Sequence, residues 1–376
     1  MKNKPKILFI MHMPPPVHGA AMVGLNIHDS KLINEAFECR YINPSASTNV
    51  AEVGKFSLNK LFFLIKLIIK ICYTIKQWKP DICYYTPTAD GLGIYRDALT
   101  IQCMRWAGAK KIILHMHNKG VEPFSKNPLS SIAYKTIFAG NKVILLAKEL
   151  KADIEKFVRD DQIVYCPNGM PETISESHLS QILQQRVSVQ KKVKILYLSN
   201  MMTEKGIYVL LEACKQLKEQ GLTFECDYVG NWGDVTSEIF NRKIQEYGLE
   251  EYVKVHGPKY GKDKISYLEA ANIFVFPTYY HGEAFSLVLL EAMEYAIPCI
   301  STFEGGIPSI ITNNENGLLV HQKGAKELSE KIKYLIMNPE IATLLGQRGR
   351  EHYKSSLTLN AFEHRLCDIL TAYSKE

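Results

Sequence analysis

IFVFPTYYHGEAFSLVLLEAMEYAIPCISTFEGGIPSII, residues 273–311, reads as one strand–loop–helix–strand unit. IFVFPT (273–278) is a β-rich apolar run ending at Pro277–Thr278. Glu283 falls in the loop after it, Glu291 lies on a helix of about 286–296, and PCIST (298–302) is the next strand. Near-continuous apolar strands joined through helices are the pattern of a parallel sheet covered on both faces.

The same alternation extends in both directions. Upstream lie KILFIM (6–11), ECRYIN (38–43), DICYYT (81–86), KIILHMH (111–117), KVILLA (142–147) and QIVYCP (162–167). A second series holds VKILYLS (193–199), FECDYV (224–229), YVKVHG (252–257) and the run above, and it closes with GLLV (317–320). Between the series, PETISESHLSQILQQRVSVQKK (171–192) is polar and has no strand-like run, which suits an interdomain linker. The expected architecture is α/β, two tandem Rossmann-like doubly wound domains whose ligand-binding strand ends face each other across a cleft. The boundaries read as 1–170, a linker over 171–192, 193–350, and a C-terminal helix within 351–376 returning to the first domain. A length of 376 residues fits two domains. With 46% apolar and 22% charged residues, disordered, collagen-like and coiled-coil chains are excluded.

The formal charge of +6 is unevenly placed. Residues 1–190 hold 24 Lys and Arg against 15 Asp and Glu, whereas residues 191–376 hold 21 against 24. The basic half calls for an anionic neighbour. Nucleic acid is not expected, because the lysines follow no RRM, KH or helix-turn-helix pattern and the pI is about 8.6. The nine cysteines form no C-x-x-C pair, and no secretory signal opens the chain, so a reduced cytoplasmic setting is expected.

Several segments carry chemistry. Backbone amides of Ala284, Phe285, Ser286 and Leu287 sit where a helix N-terminus would point into a cleft, an environment that favours a phosphate. The flanking carboxylates of Glu283 and Glu291 suit sugar and ribose hydroxyls. Lys205, in LSNMMTEKGIYVLLEA (198–213), opens a helix after a strand, and Gly206 allows close backbone approach, so a diphosphate is the natural partner. Lys259, in HGPKYGKD, is a further candidate cation. Gly19, in PPPVHGAAMVG (14–24), clears side chains from another helix N-terminus, but neither G-x-G-x-x-G nor a Walker lysine is present. His115 and His117, in HMHNKG (115–120), share one side of a strand end without a third local metal ligand. Finally, KFSLNKLFFLIKLIIKICYTIKQWK (55–79) is a basic, broadly apolar helix too short to cross a membrane. Its Lys66 and Lys70 suit an anionic membrane surface, although a helix of this fold also needs a wide buried face.

The run E-A-F-S-L-V-L-L-E, followed by A-M-E-Y-A-I-P-C-I, resembles the donor-site motif of retaining GT-B glycosyltransferases of family 4, the glycosyl transferases group 1. EGGIP (304–308), NGLLV (316–320), CPNG (166–169) and 198–213 carry the same resemblance, which spans most of the chain. It implies a GT-B fold and transfer of a sugar from a UDP- or GDP-sugar without a metal or other cofactor. It further implies that Glu283 and His117 act at the donor sugar, Glu291 holds the ribose, and the Gly19 loop lies over the diphosphate. Asn200 stands where the family usually has Arg, and Ser309 where it often has Glu. The implied acceptor is a lipid-linked or other glycan in cell-surface polysaccharide assembly, met by a peripheral protein at the inner face of the plasma membrane. A nucleotide-sugar epimerase of the same fold and a catalytically silent nucleotide-sugar-binding subunit are the alternatives. A phosphorylase would need a much longer chain.

Overall fold

The structure is a computed structural model that describes residues 4–15, 19–45, 58–188 and 192–376, with backbone alone for 58–60 and 187–188. The chain divides into two compact units. One comprises Met1–Asn168 and Leu359–Glu376, the other Gly169–Thr358.

The first unit is built on six parallel strands: β1 (Lys6–Ile10), β2 (Glu38–Ile42), β3 (Ile82–Tyr85), β4 (Ile112–His115), β5 (Lys142–Leu145) and β6 (Ile163–Tyr165). Their order is β2-β1-β3-β4-β5-β6, so the winding direction switches between β1 and β3. Every residue of β3 and β4 is buried, which is why these runs are apolar throughout rather than alternating. On one face, Phe9, Tyr84 and Ile113 pack with Val23 and Ile27 of helix Gly19–Asp29 and with Phe362, Leu366 and Leu370 of the last helix, Leu359–Lys375. The opposite face is covered by helices Leu58–Trp78, Gly93–Trp106 and Pro128–Phe138. There, the Tyr85 hydroxyl donates to Asp97 at 2.8 Å.

The second unit repeats the plan with β7 (Val193–Leu198), β8 (Phe224–Val229), β9 (Val253–Val255), β10 (Ile273–Phe276), β11 (Cys299–Thr302) and β12 (Leu318–Val320). The order β12-β11-β10-β7-β8-β9 puts its switch point between β10 and β7.

Residues 171–192 differ from the expected linker. They hold a helix, Glu176–Ser188, whose Leu179 and Ile182 are buried. Its Arg186 guanidinium donates to the carbonyls of Leu268 (2.9 Å) and Tyr295 (2.8 Å). Just before it, the amides of Thr173 and Ile174 donate to the Glu294 carboxylate. These bonds tie the segment into the second unit, and the chain crosses between units after Asn168 and again after Thr358. The last helix accordingly starts at Leu359, after helix Pro339–His352 and a π-turn over Tyr353–Leu357.

Candidate functional site

The loops after β7 and β10 flank the switch point of the second sheet, the position where open α/β sheets bind ligands. After β7, a single 3₁₀ turn (Thr203–Lys205) ends at Gly206, which starts helix Ile207–Glu219. Gly206 has φ +83°, and a Cβ there would lie 2.2 Å from the Pro277 carbonyl oxygen. The close approach requires glycine and locks the two loops together, as does the Tyr279 amide donating to the Glu204 carbonyl at 2.8 Å.

That contact brings two of the expected site residues into a pair. Lys205 Nζ donates to Glu283 Oε2 at 2.5 Å, and both side chains are largely buried. The same ammonium lies 4.5 Å from the Tyr280 ring centroid. A cation shared between a carboxylate and an aromatic face is held firmly in place. Sequence spacing assigned Lys205 and Glu283 to different ligand groups; the structure makes them one unit.

Glu283 is also fixed from behind. Gly305 has φ +52°, and a Cβ there would sit 1.8 Å from the Glu283 carbonyl oxygen. The Gly306 amide donates to the Ala284 carbonyl at 2.9 Å. Glu304, itself buried, accepts from the Gly305 amide (3.0 Å) and from the Gln322 side chain. The Gly-Gly loop therefore buttresses residues 283–284.

Ala284 and Phe285 are buried and lead into the N-terminus of helix Leu287–Glu294, whose first bond runs from the Leu289 amide to the Ser286 carbonyl at 3.2 Å, the amides ahead of it being those a helix start leaves without intrahelical acceptors. Ser286 occupies the N-cap, yet its hydroxyl makes no capping bond, and Oγ is buried without a protein partner. Glu291, expected on this helix, pairs through Oε1 with Lys264 Nζ at 2.9 Å. Its Oε2 is buried and without a partner. Nothing in the sequence near Glu291 pointed to Lys264, which comes from helix Gly261–Ala270. Asn200 is exposed, and its carbonyl accepts from the Tyr197 hydroxyl at 3.1 Å. Lys259 lies in the loop after β9 and Ser309 in the 3₁₀ turn Ile307–Ser309.

The remaining expected residues belong to the first unit. Gly19 is the first residue of helix Gly19–Asp29, and residues 16–18 of its loop lie outside the described residues. His117 follows β4, its ring centroid 4.1 Å from that of His115. His115 is fully buried, and its Nδ1 faces the Tyr84 hydroxyl. Burial, and then the neighbouring His117, hold the His115 pKa well below the ordinary value, so this imidazole is neutral. Among the described residues no group of three His, Cys, Asp or Glu side chains could hold a metal ion. Lys66 and Lys70 are exposed on helix Leu58–Trp78; residues 55–57 lie outside the described residues.

Comparison with known proteins gives a consistent result. Residues 180–352 match the model of glycosyl transferases group 1. The amylovoran biosynthesis glycosyltransferase AmsK of Erwinia amylovora is 32% identical over 151 residues, 39% of this chain and 37% of AmsK. The capsular polysaccharide biosynthesis glycosyltransferase CapM of Staphylococcus aureus is 24% identical over 326 residues, 84% of this chain and 83% of CapM. The crystal structure of Anabaena Alr3699/HepE in complex with UDP and glucose superimposes with a TM-score of 0.72 at 18% identity, covering 98% of this chain and 99% of that one. The chain spans less than half the length of two curated relatives it matches, AmsK among them. With two six-stranded parallel units and these neighbours, the fold is GT-B, and over residues 180–352 the chain is similar to the glycosyl transferases group 1.

Proposed function

We propose that the chain is a retaining glycosyltransferase that moves a sugar from a nucleoside-diphosphate sugar to a lipid-linked or other glycan acceptor in polysaccharide assembly. The observation that carries this reading is the pair of buried polar atoms without protein partners, Ser286 Oγ and Glu291 Oε2, on either side of the first helical turn at the switch point. Unsatisfied buried groups cost roughly 1–3 kcal/mol each. A ribose diol donating to Glu291 Oε2 and a phosphate oxygen accepting from Ser286 would satisfy both.

In this reading the first-turn amides of helix Leu287–Glu294 and the Lys205 ammonium carry the charge that develops on the leaving diphosphate. Glu283 accepts hydroxyls of the sugar while holding Lys205, and Ala284, Phe285 and Leu287 line the same turn. The family resemblance proposes Gly19 and His117, both in the first unit, for the diphosphate and the sugar respectively. No metal ion is needed, because a lysine and a helix terminus supply the positive potential; activity should persist in EDTA. The relatives named for capsule and amylovoran biosynthesis, and HepE with its UDP and glucose, support the substrate class.

Thermal-shift titration against a panel of UDP- and GDP-sugars tests the donor, since a ligand binding only the folded state raises the melting temperature. Release of nucleoside diphosphate with an acceptor, and the anomeric configuration of the product by NMR, test transfer and retention. Glu291→Gln should raise the donor KM by about tenfold with little change in kcat, because ribose binding is the same in ground and transition states. An unchanged KM would remove Glu291 from the ribose. A catalytically silent nucleotide-sugar-binding subunit is the second reading, favoured by the uncharged, exposed Asn200. Donor binding with neither transfer nor hydrolysis would establish it.

A further inference from the structure

The face of the first unit covered by helices Leu58–Trp78, Gly93–Trp106 and Pro128–Phe138 carries more apolar surface than its core uses. Helix Leu58–Trp78 turns Leu67, Ile71, Ile75 and Trp78 inward. Counting about 100° per residue, Phe62, Ile69 and Tyr73 lie within about 25° of the opposite direction. They are 60%, 61% and 66% exposed. The pole that faces water, where a helix of this kind ordinarily carries charge, is therefore apolar. Lys66 and Lys70 flank it on one side and Lys76 on the other, all three exposed. Lys66 Nζ lies 4.3 Å from the Phe62 ring centroid, so that cation rides along the apolar strip.

The neighbouring helices continue the strip. Leu99 and Trp106, the latter 73% exposed, project from helix Gly93–Trp106, and Leu129 and Ile132 from helix Pro128–Phe138. The three helices are joined side by side. The Cys72 thiol donates to the Cys103 carbonyl (3.5 Å), the hydroxyls of Tyr95 and Ser130 are 3.0 Å apart, and Arg105 donates to the carbonyls of Thr136 (2.9 Å) and Ala139 (2.7 Å). Together they contain a single carboxylate, Asp97. It is fully buried and accepts from Tyr85, the Thr88 amide and Arg96. The outer surface of this raft thus offers lysines, aromatics and aliphatics but no carboxylate from any of its helices.

Exposed apolar surface on this scale marks an interaction site. Its charge selects the partner. Two copies meeting through this face would set lysines against lysines with no carboxylate to pair them. Phosphate headgroups would neutralise the lysines while Phe62, Ile69 and Trp106 enter the boundary with the acyl chains. No helix among the described residues is long and apolar enough to cross a membrane, so contact is in-plane. We propose that this three-helix face docks the chain flat on a bilayer surface rich in anionic lipid. The proposal goes beyond the assignment of activity and does not depend on it.

Vesicle flotation of the full chain, without donor, tests it. Binding to vesicles of phosphatidylglycerol and phosphatidylethanolamine is expected, with little to pure phosphatidylcholine. Lys66→Glu with Lys70→Glu should weaken it by on the order of 30-fold or more. Phe62→Ser with Ile69→Ser should weaken it by on the order of tenfold and abolish the part that survives high salt. All four positions are exposed, and circular dichroism confirms folding. Emission should shift to the blue on vesicle addition and fail to shift in Trp106→Phe, since Trp78 is already buried and Trp232, half-buried, belongs to the second unit. Equal binding to both vesicle types, or binding indifferent to these substitutions, overturns the proposal. So does a dimer in sedimentation equilibrium that the same substitutions dissociate, which would assign the face to a second copy.

Discussion

Glu283→Gln should lower turnover by on the order of 10²–10³-fold, roughly 3–4 kcal/mol of transition-state stabilisation, while the fold persists. Glutamine keeps the shape and one acceptor but removes the charge that holds Lys205 at 2.5 Å. Two functions fail together: the sugar hydroxyls lose an anionic acceptor, and the ammonium is no longer aimed. The donor KM should move far less than kcat. Because the two residues act as one unit, Lys205→Met in the Glu283→Gln background should add little to either single effect. Rates of nucleoside diphosphate release for the four proteins provide the check, with circular dichroism as the folding control. Wild-type turnover in Glu283→Gln would exclude Glu283 from the chemistry, and full additivity would show that the pair does not act jointly.

Gly305→Ala should be the most damaging single-methyl change in this region. Its Cβ would fall 1.8 Å from the Glu283 carbonyl oxygen, a backbone atom that yields only if residues 283–284 move. The positive φ adds a second penalty of about 1 kcal/mol for a residue with a side chain. Gly221→Ala separates the two costs, because Gly221 has φ +76° and nothing within 4 Å of its added Cβ. Urea unfolding should show a loss of about 1 kcal/mol for Gly221→Ala and roughly 2–4 kcal/mol for Gly305→Ala. Activity should fall only in the second, since only there is Glu283 displaced. Equal destabilisation by the two substitutions would mean that the Gly-Gly loop does not buttress the site.

These effects rest on contacts that differ in how openly the sequence announces them. Most of the twelve strands among the described residues are apolar runs of a kind that has few alternatives once helices separate them; β2 departs from this, with Glu38 and Arg40 exposed. The residues of the candidate site are likewise legible as types and positions: carboxylates at 283 and 291, a lysine at 205, a helix start at 286–287. Pairings were not. Lys205 and Glu283 are 78 positions apart and Lys264 and Glu291 are 27, and local periodicity carries no information at that range. Helix Glu176–Ser188 reads in the sequence as part of a linker for a related reason. Its buried face is narrow, Leu179 and Ile182, and much of its attachment comes from Arg186 and the Glu294 carboxylate, polar groups indistinguishable from solvated ones until their partners are known. On helix Leu58–Trp78 the apolar pattern could serve a core or a surface, and only the exposure of Phe62, Ile69 and Tyr73 divides the residues between the two.

The return of the chain to its first unit also constrains how the protein is made. Phe9, Tyr84 and Ile113 emerge from the ribosome early, yet Phe362, Leu366 and Leu370, which help cover them, are translated about 190 residues after Asn168. At ribosomal speed that interval is roughly 10–40 s. Throughout it the second unit can be synthesised as one continuous stretch, whereas the first must wait with part of an apolar face open. The N-terminal half is thus the last to be finished, and a stop codon or protease cut just before Leu359 would damage a domain that begins more than 350 residues upstream.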